Sequence, residues 1–242
     1  MSLALLVDQL VKFGIHWKAA KLIQGLFGTY PTNYANFDST GHLTFTGTAK
    51  PWDDLRIEPI IRETDNPTNN PVFEPWYTDG AGSRGIWLYS FDDALLGAQK
   101  EIHFTMQMPH SWDSGPIYIH VHWVGAVDDT AAAPRWGLEY KFKGLGKGYT
   151  NPTAILYTDG NNYINTGATA NVSANIHTIS KFAAITPSAE NDGLSSILIG
   201  RLWRDSGVAG DTYNAAGAKC GLLYIDAHYQ IARIGSTDEY VA

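Results

Sequence analysis

The sequence predicts an all-β protein: an antiparallel, jelly-roll-like β-sandwich preceded by a short helical segment. Three observations lead there. Apolar and polar residues alternate with a period of two along several stretches. The 242 residues include 8 Trp, 13 Tyr, 9 Phe and 24 Gly, with only 17% charged residues; aromatic side chains favour pleated surfaces and Gly favours turns. Between the alternating stretches no helix-length pattern occurs, so the crossover helices that a parallel sheet needs are missing.

The N-terminal segment is the exception. Leu3, Leu6, Val7, Leu10, Phe13 and Trp17 follow i, i+3, i+4 spacing, continued by Leu22, Ile23, Leu26 and Phe27 until Gly28 and Pro31. Residues 1–28 therefore read as a helical N-terminal anchoring segment, and residues 29–242 as the β-sandwich domain. A helix of this length is marginal alone in water and needs its apolar face buried, either over one end of the core or, as the anchoring reading has it, against a neighbouring subunit or partner protein.

From Thr29 to Pro75 the chain is rich in Asn, Thr, Pro and Asp; Leu43 and Phe45 suggest a brief strand, and Asp65–Pro71 a loop. A Gly-rich turn then precedes Ile86–Phe91. Alternation becomes regular over Glu101–Met108, Ile117–Trp123, Trp136–Phe142 and Leu223–Ile231. Ile197, Leu198 and Ile199 form a denser apolar run, which predicts a strand covered on both faces. Weaker strands fall near Ala154–Tyr157 and Ile176–Ile185.

Charge and cysteine content bound the function. A formal net charge of −7 disfavours attraction to nucleic acid or to an anionic membrane. Cys220 is the single cysteine, so no intrachain disulfide or cysteine-based zinc cage is expected. No stretch reaches the roughly 18 apolar residues of a membrane-spanning helix. The N-terminus has no basic region or small-residue cleavage site, which predicts a soluble protein made in a cytoplasm.

Histidine spacing offers the most specific chemical pattern. His120 and His122, two apart on a strand, project from one face about 7 Å apart, a spacing that suits two ligands of one metal, as in cupin-type jelly rolls. His110, Glu139 or His228 would supply a third ligand. The glycine-rich and Glu context of a cupin is absent, so a polar sheet face hydrogen-bonded to its neighbours is the favoured reading.

Other catalytic patterns are incomplete. Ser195-Ser196 lacks a G-x-S-x-G elbow. Asp53-Asp54 and Asp92-Asp93 read as solvated turn residues rather than glycosidase carboxylates, and GLGKG at Gly144–Gly148 as a hairpin turn rather than a phosphate loop. The sequence accordingly assigns no catalytic, cofactor-binding or metal residue, and predicts no enzyme and no cofactor. Trp76, Tyr77, Trp112 and Trp203, near loops or strand ends, are candidates for stacking on a sugar. Trp203-Arg204-Asp205-Ser206 is a candidate subunit interface, because Trp and Arg are enriched there.

Two blocks carry a family resemblance. One is Met108-Pro109-His110-Ser111-Trp112, followed by Gly115 and Ile119-His120-Val121-His122-Trp123. The other is Leu223-Tyr224-Ile225-Asp226-Ala227-His228-Tyr229, closing with Ile234-Gly235-Ser236. Together, PHxW, HVHW and DxHY…GS resemble structural proteins of tailed bacteriophages and prophages, over roughly residues 50 to 240. The resemblance implies a virion component without catalytic residues: a decoration, fibre, or tail or neck accessory protein. It implies a homo-oligomer, with a trimer favoured, that contacts other virion proteins. A carbohydrate- or receptor-binding module of a phage fibre, with a host-surface glycan as partner, is the alternative; a His-ligated, cupin-like metal enzyme ranks below both.

Overall fold

Alternating segments become strands here because each can turn one apolar face inward and one polar face to water. A computed structural model describes residues 33–38, 41–59, 67–80, 84–92, 100–164, 167–191, 193 and 195–234. The helix expected over residues 1–28 lies outside these. The chain divides into two compact units.

The smaller unit contains the described residues up to Asp53, Pro109–Asp113 and the residues from Gln230 onward. Strands β1 (Tyr34–Phe37) and β2 (Leu43–Thr46) pair antiparallel, with the turn closed by Asp38 N–H donating to His42 O at 2.9 Å. Phe45 N–H donates to Ala232 O, Ala232 N–H to Ser111 O, and Lys50 pairs with Asp113 at 2.9 Å. Trp112 is buried, 4% exposed, and bridges to Ile231.

The larger unit, Asp54–Met108 with Ser114–Tyr229, is the sandwich. Its strands are β3 (Trp52–Ile57), which begins in the smaller unit, β4 (Val72–Thr78), β5 (Gly85–Asp92), β6 (Glu101–Gln107), β7 (Tyr118–Gly125) and β8 (Trp136–Lys143). After them come β9 (Ala154–Tyr157), β10 (Asn162–Ile164), β11 (Gly167–Thr169), β12 (His177–Lys181), β13 (Ile197–Arg204) and β14 (Lys219–Gln230). One sheet runs β11-β10-β12-β7-β14-β5-β4, with β3 also paired to β14; the other runs β6-β13-β8-β9. The pairings between these strands whose register is resolved are antiparallel.

The chain crosses between the two sheets at β5→β6, β6→β7, β7→β8, β9→β10, β12→β13 and β13→β14. That is jelly-roll connectivity. The interior is closed by residues such as Ile102, Leu138 and Leu202 from one sheet and Ile119, Val121 and Ile225 from the other, each fully buried. Phe91 of β5 meets Trp136 of β8 edge-on, with ring centroids 5.1 Å apart.

Several sequence expectations change. The run at Ile197 is covered on one face: Leu198 is buried while Ile199 is 43% exposed. Asp53 and Asp54 lie in β3 rather than in a turn. Strand β4 was hidden by Pro75, which the sheet accommodates because β4 is an edge strand with a register shift between Pro75 and Tyr77. The GLGKG segment is the expected turn: Lys147 N–H donates to Gly144 O at 3.1 Å, and Gly146 has φ +77°. Gly137 gives Trp203 its place, since a Cβ there would stand 2.2 Å from the indole.

Trp203-Arg204-Asp205-Ser206 is no surface. All four residues are buried within this unit, Arg204 completely. Its guanidinium clasps Asp211 through two 2.9 Å bonds, donates to the carbonyls of Tyr213 and Phe91, and reaches Ala218 O at 3.4 Å. Asp211 also accepts from the Arg135 backbone N–H at 3.1 Å. Because Arg204→Met would leave a buried carboxylate uncompensated, it is expected to cost about 3–5 kcal/mol, measured by denaturant unfolding. Arg204→Lys should recover only part of this, lacking the bidentate fork.

Candidate functional site

The outer face of the larger sheet gathers an unusual number of histidines. On β7 the alternation that buries Ile119, Val121 and Trp123 turns His120 and His122 the other way, ring centroids 6.4 Å apart. The spacing read from H-x-H is therefore real. The third participant is Asp226, opposite His120 in the β7–β14 register. Asp226 Oδ2 lies 2.8 Å from His122 Nε2, and Oδ1 lies 3.2 Å from His120 Nδ1.

A local irregularity puts Asp226 there. Leu222 pairs with Trp123 and Tyr224 with His122, so the register shifts by one residue between them. Without that bulge Asp226 would fall on the core side, because a one-residue slip exchanges the faces of a strand. With it, Leu222 and Ile225 are both buried while Tyr224, Asp226 and His228 share the outer face.

The cluster extends on both sides. His122 Nδ1 lies 2.8 Å from His177 Nε2 on β12, and Tyr224 stacks on the His122 ring at 4.0 Å with Arg56 5.4 Å above the tyrosine. His228 stacks on His120 at 5.5 Å, and its Nδ1 meets Asp54 at 2.5 Å. Burial works to raise the Asp226 carboxyl, but the two imidazoles beside it outweigh that and hold it at about 2. Burial, and then the neighbouring His122, push His177 below the ordinary histidine range, so His177 stays neutral at neutral pH.

Of the third ligands considered from sequence, His228 joins the cluster but stacks against His120 instead of converging on the same point. Glu139 belongs to the other sheet, where it and Glu101 hold Arg201 at 2.9 and 2.6 Å. His110 lies in the turn after β6 and is not among the residues whose ligand atoms converge. Asp226 was missed because it lies 104 residues from His122 in sequence; its polar place in an alternating strand, two before His228, was the signal available.

The other candidates also find their places. Ser196 is buried and donates to Gly193 O at 2.6 Å, with no base arranged beside it among the described residues. Trp112 and Trp203 are each 4% exposed and Trp76 packs over Gly221, leaving Tyr77 as the exposed ring of that set. A separate groove of about 430 Å³ lies on the outer face of β6-β13-β8-β9, lined by His103, Glu139, Lys141, Thr153, Ile199 and Arg201 among others.

No family model matches the chain, and no curated protein does. Among solved structures, that of TmCBM61 in complex with beta-1,4-galactotriose aligns with 75% of this chain and 88% of that chain, at 8% identity and a TM-score of 0.27. That likeness is too distant to bear on ligand or activity.

Asp226 gives the site a signature in acid. Its carboxyl titrates lower in the folded chain than the ordinary 3.8, so the folded state binds fewer protons and gains stability above that value. About 2 kcal/mol should be present above pH 5 and lost as pH falls towards 2. Asp226→Asn should flatten that part of the unfolding free-energy profile measured from pH 5 to 2, and an unchanged slope would contradict the assignment.

Proposed function

We propose that the chain is a non-catalytic structural component of a phage virion, assembling as a homotrimer and with other virion proteins. One observation carries the assembly reading: the β4–β5 hairpin presents an exposed aromatic face. The alternation that buries Phe91 sets Tyr89 and Trp87 on the same face, with Phe73 and Pro75 opposite them on β4. Phe73 lies 4.8 Å from Tyr89 and 5.6 Å from Trp87. Phe73 is 53% and Trp87 41% exposed; Val72 and Ile86, on the other face of the hairpin, are exposed as well.

Apolar clusters of this kind at the edge of a sheet mark contact surfaces. The residue blocks that resemble those of tailed-phage structural proteins support the same reading. Light scattering after size exclusion is expected to give a trimer at micromolar concentration. Phe73→Glu combined with Trp87→Glu should yield monomers that unfold at nearly the native midpoint. A monomeric, fully folded wild-type chain, or absence of the chain from purified particles by mass spectrometry, would overturn the reading.

A second reading rests on the groove of the smaller sheet. Its apolar floor at Ile199 is rimmed by Arg201, Glu139, His103, Lys141 and Thr153, the mixture of flat apolar and directed polar groups that a sugar ring uses. It makes the chain a glycan-binding module of a fibre. Glycan-array binding that disappears in Ile199→Asp, with the fold intact, is the expected outcome; no binding by the wild type rejects it.

A further inference from the structure

The cluster on the outer face of the larger sheet holds an unexplained atom. Asp226 is 3% exposed, and its Oδ1 is buried without a hydrogen bond, although His120 Nδ1 stands only 3.2 Å away. A buried carboxylate oxygen is normally satisfied. The imidazole nitrogen stands beside the oxygen without a bond of hydrogen-bonding geometry. A nitrogen and a carboxylate oxygen held this close are also the arrangement expected when both bind a third body.

We propose that His120 Nδ1, His122 Nε2 and the Asp226 carboxylate form a binding site for one divalent transition-metal ion of the zinc class. Two ligands bonded to such an ion at ~2.1 Å stand roughly 3–3.5 Å apart. The two His–Asp approaches, 2.8 and 3.2 Å, are close to that, and all three ligand atoms lie within 4.8 Å of one another. Two imidazoles and one carboxylate form a donor set that suits zinc, cobalt or iron rather than calcium or magnesium. Three protein ligands leave the remaining coordination to solvent, and His120, with 19% of its side chain exposed, lies on the open side.

The surroundings supply what an imidazole ligand needs. A ligating histidine must present a lone pair, with its other nitrogen held by a partner. His122 Nδ1 lies 2.8 Å from His177 Nε2; with the His122 proton on Nδ1, donated to His177, Nε2 is left free for the ion. Tyr224 fixes the plane of His122 from the side at 4.0 Å. His228 is tied to Asp54 and lies nearly parallel to His120, at 29°, which makes it a support for His120 rather than a ligand.

The test is a titration of the full chain with cobalt(II) after treatment with a chelator, followed by visible d–d absorption and then displacement with zinc. The expected result is a band that saturates at one ion per chain and is bleached by zinc. His120→Ala and Asp226→Asn should each abolish the band, whereas His228→Ala should retain it. His177→Ala should weaken binding by about 10–100-fold. Because His120 is partly exposed, His120→Ala is the variant that keeps its fold if changes at the buried His122 do not, as circular dichroism would show. No saturable band in the wild type, or a band that persists in both His120→Ala and Asp226→Asn, overturns the proposal. Neither outcome depends on the oligomeric state.

Discussion

A buried charge pair, Arg204 with Asp211, ties one end of the sandwich together. Arg204 sits at the last position of β13, in the smaller sheet, yet its guanidinium reaches the carbonyls of Phe91, near the end of β5 in the larger sheet, and of Ala218, the residue that leads into β14 of that sheet. Asp211, from the loop between β13 and β14, receives the planar fork at two points. A fully buried arginine is tolerable only when its donors are matched and its charge is met. Here the match is made by groups from both layers. The connection from one central strand to the next is thereby fixed, and with it the start of β14.

That fixed start matters to the histidine cluster. Strand β14 begins with Lys219 paired to Asp92 and Cys220 paired to Phe91, runs to Leu222, and then slips by one residue before Tyr224. The slip decides which side of the sheet Asp226 occupies. Cys220 beside this region is wholly buried, and burial pushes its thiol up to about 12, so it serves as packing and not as a nucleophile. The order of causes thus runs from a buried ion pair, to the position of a strand, to a bulge, to a carboxylate between two imidazoles.

Much of the fold was legible because period-2 alternation survives wherever one face is buried. The strands β6, β7, β8 and β14 follow it closely. It failed where strands lie at an edge or carry polar residues: β3 contains Asp53 and Asp54, and β4 contains Pro75. It also failed to distinguish one covered face from two at Ile199, since residue type does not report what lies opposite. For the site, H-x-H identified the two imidazoles and their common face. The carboxylate was not legible, because pairing across 104 residues with a bulge between leaves no trace in local spacing. Trp112 and Trp203 looked like surface rings and are interior ones; a tryptophan near a strand end carries no mark of its burial.

The strand order has a consequence for how the protein is made. β14 lies between β7 and β5, and β13 lies between β6 and β8; in each sheet, the strand that separates these neighbours is translated after both of them. While a ribosome is still extending the chain, β5, β6, β7 and β8 are out with no partner for the edges they will later share. Long-range pairing of this kind is slow to form and leaves strand edges open in the meantime. The nascent protein is therefore most vulnerable to joining a neighbouring copy through the wrong edge just before its last two strands emerge. Chaperones, or quick release from the ribosome, would shorten that interval for a chain of this topology.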